Sequence, residues 1–126
     1  MVWQNYHTPH MKALEWLGDS RENLREFPDE VKTTMGHALN EVQNGVTPLD
    51  AKPLKGKEFN GVYEIVEDFR TDTYRAVYIA KLKNAVYVLH CFQKKSKTGK
   101  KTPPKDTDLI KARLRAARER DKTLGE

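Results

Sequence analysis

The chain has 126 residues, of which 37% are apolar and 33% charged, and its formal net charge is +5. This length fits one domain with a single core, and the one cysteine, Cys91, excludes an internal disulfide. No apolar run reaches the eighteen or so residues that span a bilayer, and the first residues lack the layout of a secretory signal. We therefore expect a cytoplasmic protein with no membrane partner.

The positive charge is concentrated near the C-terminus. Residues 94–122 carry twelve lysines and arginines against four acids, whereas residues 1–93 carry eleven against thirteen. Such an asymmetry is common in nucleic-acid-binding proteins. A solvated basic tail that aids solubility explains the composition equally well.

The N-terminal part of the chain predicts a strand followed by two helices. Residues 1–10 show no clear period, so we treat them as an extension and expect one domain over residues 11–122. The run "KALEWLG" at 12–18 alternates as a short strand does. Asp19 or Ser20 then offers an N-cap for a short helix, close to a capping box.

A second helix is predicted from Pro28 to Asn44. Its apolar residues recur at helical spacing, and Asn44-Gly45 is a typical helix end. These apolar residues are Val31, Met35, Ala38, Leu39 and Val42.

The second half of the chain predicts a β-meander and a final helix. Residues 46–61 resemble a loop. Three runs rich in Val, Ile, Tyr and Phe follow, "VYEIVEDFR", "TYRAVYIAKL" and "AVYVLHCF", and their short polar connections require antiparallel pairing. A basic helix is expected over about 106–120, capped by Asp106, Thr107 or Asp108. The predicted fold class is α+β, with two N-terminal helices packed on the sheet.

Strand alternation sorts the candidate functional residues of the meander. Glu64 shares a face with Val62 and Val66, and Arg75 shares one with Val77 and Ile79. Arg70 and Arg75 flank a tight turn, which predicts that their guanidiniums converge at one end of the sheet. A guanidinium matches phosphate oxygens well, although a simple ion pair with Asp68, Asp72 or Glu67 is an alternative for each arginine.

His90 ends an apolar strand just before a lysine-rich loop. Alternation places it on one face with Val86, Val88 and Phe92. A lone histidine in such a position is more often a hydrogen-bonded core residue than a functional one. The histidines show no metal-ligand spacing, and neither a common phosphate loop nor a recognisable nucleophile triad is present. The sequence therefore predicts no metal and no cofactor.

Several segments together resemble a known protein family. "KPLKG", "GVYEI", "YRAVY", "VYVLHCFQKKSKTGKKTP" and "LIKARLRAAR", in this order, are similar to the phage-derived, HigB-like branch of the RelE/ParE toxin superfamily. The resemblance covers about residues 11–120. It implies a small RelE-like sheet with two N-terminal helices on one side and a basic groove on the other. The implied function is that of the toxin in a type II toxin–antitoxin system. Most toxins of this kind are mRNA endoribonucleases that act on the translating ribosome. The implied partner is a helix-turn-helix antitoxin.

The resemblance also implies roles for individual residues. Arg75 matches the phosphate-stabilising arginine, and Lys94 and Lys95 lie where the family places a basic residue after the last strand. A lysine crowded by other cations has a lowered pKa and can transfer protons, as can His90. The expected RNA-phosphate contacts are Arg70, Lys52, Lys55, Lys97, Lys100 and Lys101.

The chain departs from the best-known RelE pattern at the position of the general base. Glu64 and Val66 stand where those toxins carry lysines, and their C-terminal tyrosine is absent. Glu64 is either the base or only a partner of Arg75. The rival functions are a ParE-like gyrase inhibitor without nuclease activity and a non-catalytic phage nucleic-acid-binding protein.

Overall fold

The computed structural model describes residues 11–94 and 102–124. The predicted order of a strand, two helices, a meander and a final helix is confirmed, and the fold is α+β. The elements are β1 Ala13–Trp16, α1 Ser20–Arg25, α2 Asp29–Gln43, β2 Ala51–Pro53, a 3₁₀ turn Lys57–Phe59, β3 Val62–Phe69, β4 Asp72–Ile79, β5 Ala85–Lys94 and α3 Pro104–Leu124.

Five strands form one mixed sheet in the order β1-β5-β4-β3-β2. The meander β3-β4-β5 is antiparallel, as its short connections require. β1 adds to β5 in parallel, with Ala13 opposite Ala85, which the long connection through two helices and three strands allows. The expectation of a loop over 46–61 was wrong in part, since β2 and the 3₁₀ turn lie within it.

One face of the sheet is covered by α1 and α2. The helical spacing in α2 places its apolar residues on a single side, and these bury against the sheet as predicted. The cluster joins Leu24, Phe27, Val31, Met35, Ala38, Leu39 and Val42 to Ile65, Tyr74, Ala76, Tyr78, Val86, Val88 and Cys91. Burial raises the pKa of the Cys91 thiol to about 12, so this cysteine is an inert core residue.

The opposite face of the sheet is covered by α3. Its narrow apolar side predicts contact along one stripe only, and Ile110, Leu114 and Ala117 are buried there against Val77, Ile79, Tyr87 and Leu89 of the sheet, with Leu54 and Phe59 from the β2–β3 segment. The basic groove expected on this side is therefore occupied by a helix along most of its length. Open space remains around the N-terminal end of α3 and along its exposed side.

The helix α3 begins at Pro104, two residues before the predicted start. Proline suits this first position because its missing N–H would be unpaired there anyway. At the other end of α3, the Asp121 carboxylate accepts hydrogen bonds from the Lys83 and Asn84 amides and from the Tyr87 hydroxyl. Burial alone would raise the pKa of Asp121, but these hydrogen bonds lower it below its usual value. Asp121 therefore fixes the C-terminal end of α3 to the β4–β5 turn.

Candidate functional site

An irregularity in β5 decides which face His90 occupies. Val77 pairs with His90 but Tyr78 pairs with Val88, so Leu89 is an extra residue in β5. Such a bulge shifts the alternation of the strand and redirects the side chains that follow. The expectation that His90 shares a face with Val86 and Val88 was wrong, because those two residues pack under α1 and α2. His90 lies on the α3 side, stacked on Phe92 with ring centroids 4.8 Å apart.

Glu64 and Arg75 form a buried ion pair on the same side of the sheet. Arg75 Nη1 donates to Glu64 Oε1 at 2.7 Å, and each residue is only 5% exposed. The pair is a cross-strand diagonal, since Glu64 is opposite Val77 and Arg75 is opposite Val66. Arg75 Nε has no hydrogen-bond partner among the described residues. The arginine thus has a buried, unpaired donor beside a carboxylate that fixes its position.

Lys94 extends this arrangement to the third strand. It pairs with Thr73 at the end of β5, and Arg75 pairs with Phe92, so Arg75, Phe92 and Lys94 project from one face. Diagonal neighbours on adjacent strands lie about 7–8 Å apart, within reach of long side chains. Glu64, Arg75 and Lys94 therefore form a row across β3, β4 and β5.

Two clefts open beside the N-terminal end of α3. The first, here called the Glu64 cleft, has a volume of about 350 Å³ and is lined by Lys52, Pro53, Leu54, Lys55, Glu64, Thr102 and Thr107. The second, the His90 cleft, has a volume of about 410 Å³ and is lined by His90, Phe92, Gln93, Lys105, Asp106 and Leu109. The first cleft gathers three of the predicted residues, two lysines and the carboxylate, around one cavity.

Both ring nitrogens of His90 are engaged. Nε2 lies 2.7 Å from Asp106 Oδ1, and Arg113 Nη1 lies 3.4 Å from Nδ1. The hydrogen-bond pattern assigns the neutral-ring proton to Nε2, which donates to Asp106, while Nδ1 accepts from Arg113. Arg113 also donates to the Leu89 carbonyl and to Asp19, and this last hydrogen bond holds the pKa of Asp19 below its usual range. His90 is thus part of a network that attaches α3 to β5.

Arg70 lies apart from Arg75. It has a positive φ of 59° in the β3–β4 turn, and its guanidinium lies 5.2 Å over the ring of Phe69. Phe69 packs against the cluster under α1 and α2, whereas Arg75 lies on the α3 side. The expected convergence of the two guanidiniums was wrong. Four of the predicted loop lysines lie outside the described residues: Lys95, Lys97, Lys100 and Lys101.

Sequence reasoning missed the contribution of α3 to this site. Asp106 was considered only as a helix cap, yet its carboxylate faces His90. Lys105 lines the His90 cleft and Thr107 lines the Glu64 cleft. The acid after Pro103-Pro104 was the available signal, but nothing in the sequence indicated that it meets a strand sixteen positions earlier.

Comparison with known protein families identifies the chain. Residues 22–115 match the family described as "Phage derived protein Gp49-like (DUF891)". The chain belongs to this phage-derived Gp49-like family. The match includes Glu64, Arg75, His90, Lys94 and the first half of α3, so the candidate site lies within the Gp49-like region.

A solved structure with a similar chain is the toxin–antitoxin complex RelBE2 from Mycobacterium tuberculosis. The similarity covers 64% of this Gp49-like chain and 95% of that chain, at 19% sequence identity and a TM-score of 0.44. No curated protein matches the chain significantly.

Within residues 11–94 and 102–124, no three histidine, cysteine or acidic side chains are grouped so that they could hold a metal ion. In the same residues no helix is long and apolar enough to cross a membrane.

Proposed function

We propose that this Gp49-like protein is the toxin of a type II toxin–antitoxin system and acts in the cytoplasm as an mRNA endoribonuclease on the translating ribosome. The observation that carries the proposal is the row Glu64, Arg75 and Lys94 beside the lysine-lined Glu64 cleft. Carboxylate, guanidinium and ammonium groups are the kinds of group that RNA cleavage by the 2′-OH requires. The HigB-like sequence features quoted above support the same assignment.

The proposed reaction needs no group beyond the RNA and the protein. Glu64 accepts the proton of the 2′-OH, whose oxygen attacks the neighbouring phosphorus. Arg75 neutralises the charge that builds up on the phosphoryl oxygens, and Lys94 or Lys95 donates a proton to the departing 5′-oxygen. The P–O5′ bond breaks as the P–O2′ bond forms, which gives a 2′,3′-cyclic phosphate and a free 5′-hydroxyl.

The Glu64–Arg75 pair must loosen for this reaction. Arg75 is 5% exposed and donates to Glu64, so a bound phosphate has to attract part of the guanidinium. A buried pair is held by attraction but opposed by the loss of hydration of both charges. Opening of the pair would also uncover Arg75 Nε, a buried donor that is unpaired within the described residues, for a phosphate anion in the neighbouring Glu64 cleft.

The decisive experiment is induction of the protein in cells followed by mapping of mRNA 5′ ends. We expect growth arrest, new 5′ ends that carry a hydroxyl, and reversal of the arrest when the adjacent helix-turn-helix antitoxin is co-expressed. Induced Glu64→Gln protein, verified as folded by thermal melting, is the matched control and should leave the mRNA intact. Normal growth in the presence of soluble protein would refute the toxin assignment.

The burial of Arg75 favours a second candidate, a ParE-like gyrase inhibitor without nuclease activity. A pure binding protein needs no exposed catalytic group, and both nitrogens of His90 are already engaged. In that case growth arrest would be accompanied by inhibited DNA supercoiling and unchanged mRNA 5′ ends. The mapping experiment therefore separates the two candidates.

A further inference from the structure

The exposed side of α3 carries a line of four cations. Lys111, Arg115, Arg118 and Lys122 recur at spacings of four, three and four residues, which places them on one side of the helix. All four are exposed. The other two arginines of this part of the helix point elsewhere, because Arg113 contacts Asp19 and Arg120 contacts Glu15.

These four cations surround a groove rather than a convex surface. The groove has a volume of about 330 Å³ and is lined by Glu58, Lys111, Leu114, Arg115, Arg118, Glu119 and Lys122. Its apolar contact is Leu114, which is 4% exposed and packs on the sheet cluster. We call this concavity the α3 groove. Its lining carries four positive side chains and two negative ones, Glu58 and Glu119.

The two acids leave the cations available to an anion. Glu58 lies 3.3 Å from Lys111 and Glu119 lies 3.4 Å from Lys122, and all four side chains are well exposed. Exposed ion pairs of this kind are weak because water screens both charges, so a phosphate can replace either carboxylate at little cost. Arg115 and Arg118 have no ion-pair partner in the described part of the chain.

The α3 groove continues from the Glu64 cleft. Thr107 lines the cleft, and Lys111 lies one helical turn further along the same side of α3. Leu54 and Phe59 hold the β2–β3 segment, with Lys52 and Lys55, against the same helix. From Lys111 to Lys122 the helix rises about 16 Å. A strand of nucleic acid that leaves the cleft in this direction thus meets cations over several nucleotides.

We propose that the α3 groove binds the phosphate backbone of RNA as a second contact surface beyond the Glu64 cleft. This inference rests on the proposed RNA-cleaving function and extends it to the substrate. The groove favours long single-stranded RNA over an oligonucleotide that fills the cleft alone. Because the contacts are made to phosphates, they add affinity without sequence preference.

The test compares two variants that each lose four positive charges. The groove variant is K111Q/R115Q/R118Q/K122Q, and glutamine keeps the helix propensity of the replaced residues. The control variant is R21Q/R25Q/K81Q/K83Q, in which all four residues are exposed and lie outside both the groove and the two clefts. Thermal melting of each variant verifies that it is folded.

Two RNAs are used with each protein, a long single-stranded RNA and a short oligonucleotide. For the long RNA, a plot of log affinity against log salt should be shallower in the groove variant. We expect the magnitude of its slope to decrease by about three, since each lost single-strand phosphate contact lowers it by about 0.7. The control variant should keep the slope of the unsubstituted protein. Cleavage of the short oligonucleotide should be equal in all three proteins.

The possible failures of the two proposals can be told apart. If the groove variant binds long RNA like the unsubstituted protein, or if the control variant loses as much affinity, the α3 groove is not an RNA site. If the short oligonucleotide is never cleaved while the groove variant still loses long-RNA affinity, the groove assignment stands and the nuclease assignment fails. If no protein binds either RNA, both proposals are wrong.

Discussion

His90 donates through Nε2 to Asp106 Oδ1 at 2.7 Å, and both residues are buried. The contact joins β5 to the first turn of α3, the turn that lies between the two clefts. Since both ring nitrogens are engaged in this structure, we expect His90 to act through the position of α3 rather than by transferring a substrate proton.

The first prediction concerns this contact. His90→Ala and Asp106→Ala should each destabilise the protein by about 1–3 kcal/mol, because the remaining partner stays buried without its hydrogen bond. The double variant should lose less than the sum of the two. Asp108→Ala, at an exposed position in the same turn, should melt like the unsubstituted protein. A His90→Ala protein that melts normally but does not arrest growth would make His90 an acid–base catalyst instead.

The second prediction separates charge from chemistry at Glu64 and Arg75. Arg75→Ala leaves a buried carboxylate alone and should cost about 3–5 kcal/mol. Replacing both residues by leucine removes both charges and should leave stability nearly unchanged or higher. The double-leucine protein should nevertheless cleave no RNA. Chemical denaturation and a cleavage assay measure the two properties on the same samples, and retained cleavage would exclude both residues from catalysis.

The third prediction concerns Lys94, the last residue of β5, and the lysines that come after it in the sequence. Lys94→Ala or Lys95→Ala should reduce cleavage by about 10²–10⁴ while the protein stays folded, because Lys94 is the last residue of β5 and Lys95 follows it in the sequence, and proton transfer needs a fixed group. Removing Lys100 and Lys101 should instead weaken RNA binding and lower the magnitude of its salt slope by about 0.7 for each lost phosphate contact. Cleavage at saturating RNA distinguishes these effects. Full activity in a Lys94/Lys95 double variant would contradict the assignment.

The fourth prediction is a pH dependence on the opposite face of the sheet. The pKa of Glu67 is raised to about 7, mainly by burial. A hydrogen bond with Asp50 and repulsion from the Asp50 and Asp68 carboxylates raise it further. The folded protein thus holds this proton more tightly than the unfolded chain, so stability falls as pH rises toward and through 7. His37 and Glu41 line the same small cleft as Glu67.

Glu67→Gln should remove the loss of folding stability that accompanies ionisation of Glu67. The variant should melt higher than the unsubstituted protein above pH 7, and the difference should disappear in acid below the usual carboxyl pKa. Glu41→Gln removes an exposed acid from the same cleft and is the matched control, with a smaller change expected. Parallel melting curves for Glu67→Gln and the unsubstituted protein at every pH would show that Glu67 does not titrate in this range.

Local patterns predicted the main elements of the fold. The helical spacing from Val31 to Val42 identified α2 and its buried side, and the short polar turns determined the antiparallel meander. The strand β2 was missed because Ala51–Pro53 is only three residues long and contains a proline. Its pairing depends on β3 rather than on its own propensity.

The candidate site was harder to predict because it depends on contacts between distant residues. Alternation correctly placed Arg75 with Val77 and Ile79, and Glu64 as the partner of Arg75 was one of the two alternatives. The extra residue Leu89 then changed the face of His90, and a bulge of this kind leaves no mark in an apolar run. The roles of Asp106 and Arg113 required knowledge of where α3 packs.

The parallel pairing of β1 with β5 also has a consequence for how the protein is made. Ala13 cannot pair until Ala85 has been synthesised, and α3 follows later still. Long-range pairings slow folding because the intervening chain must be closed first. A ribosome that is still translating this message therefore carries a nascent chain whose sheet lacks an edge strand and whose clefts lack one wall. The candidate site is thus assembled only once synthesis of the chain is complete.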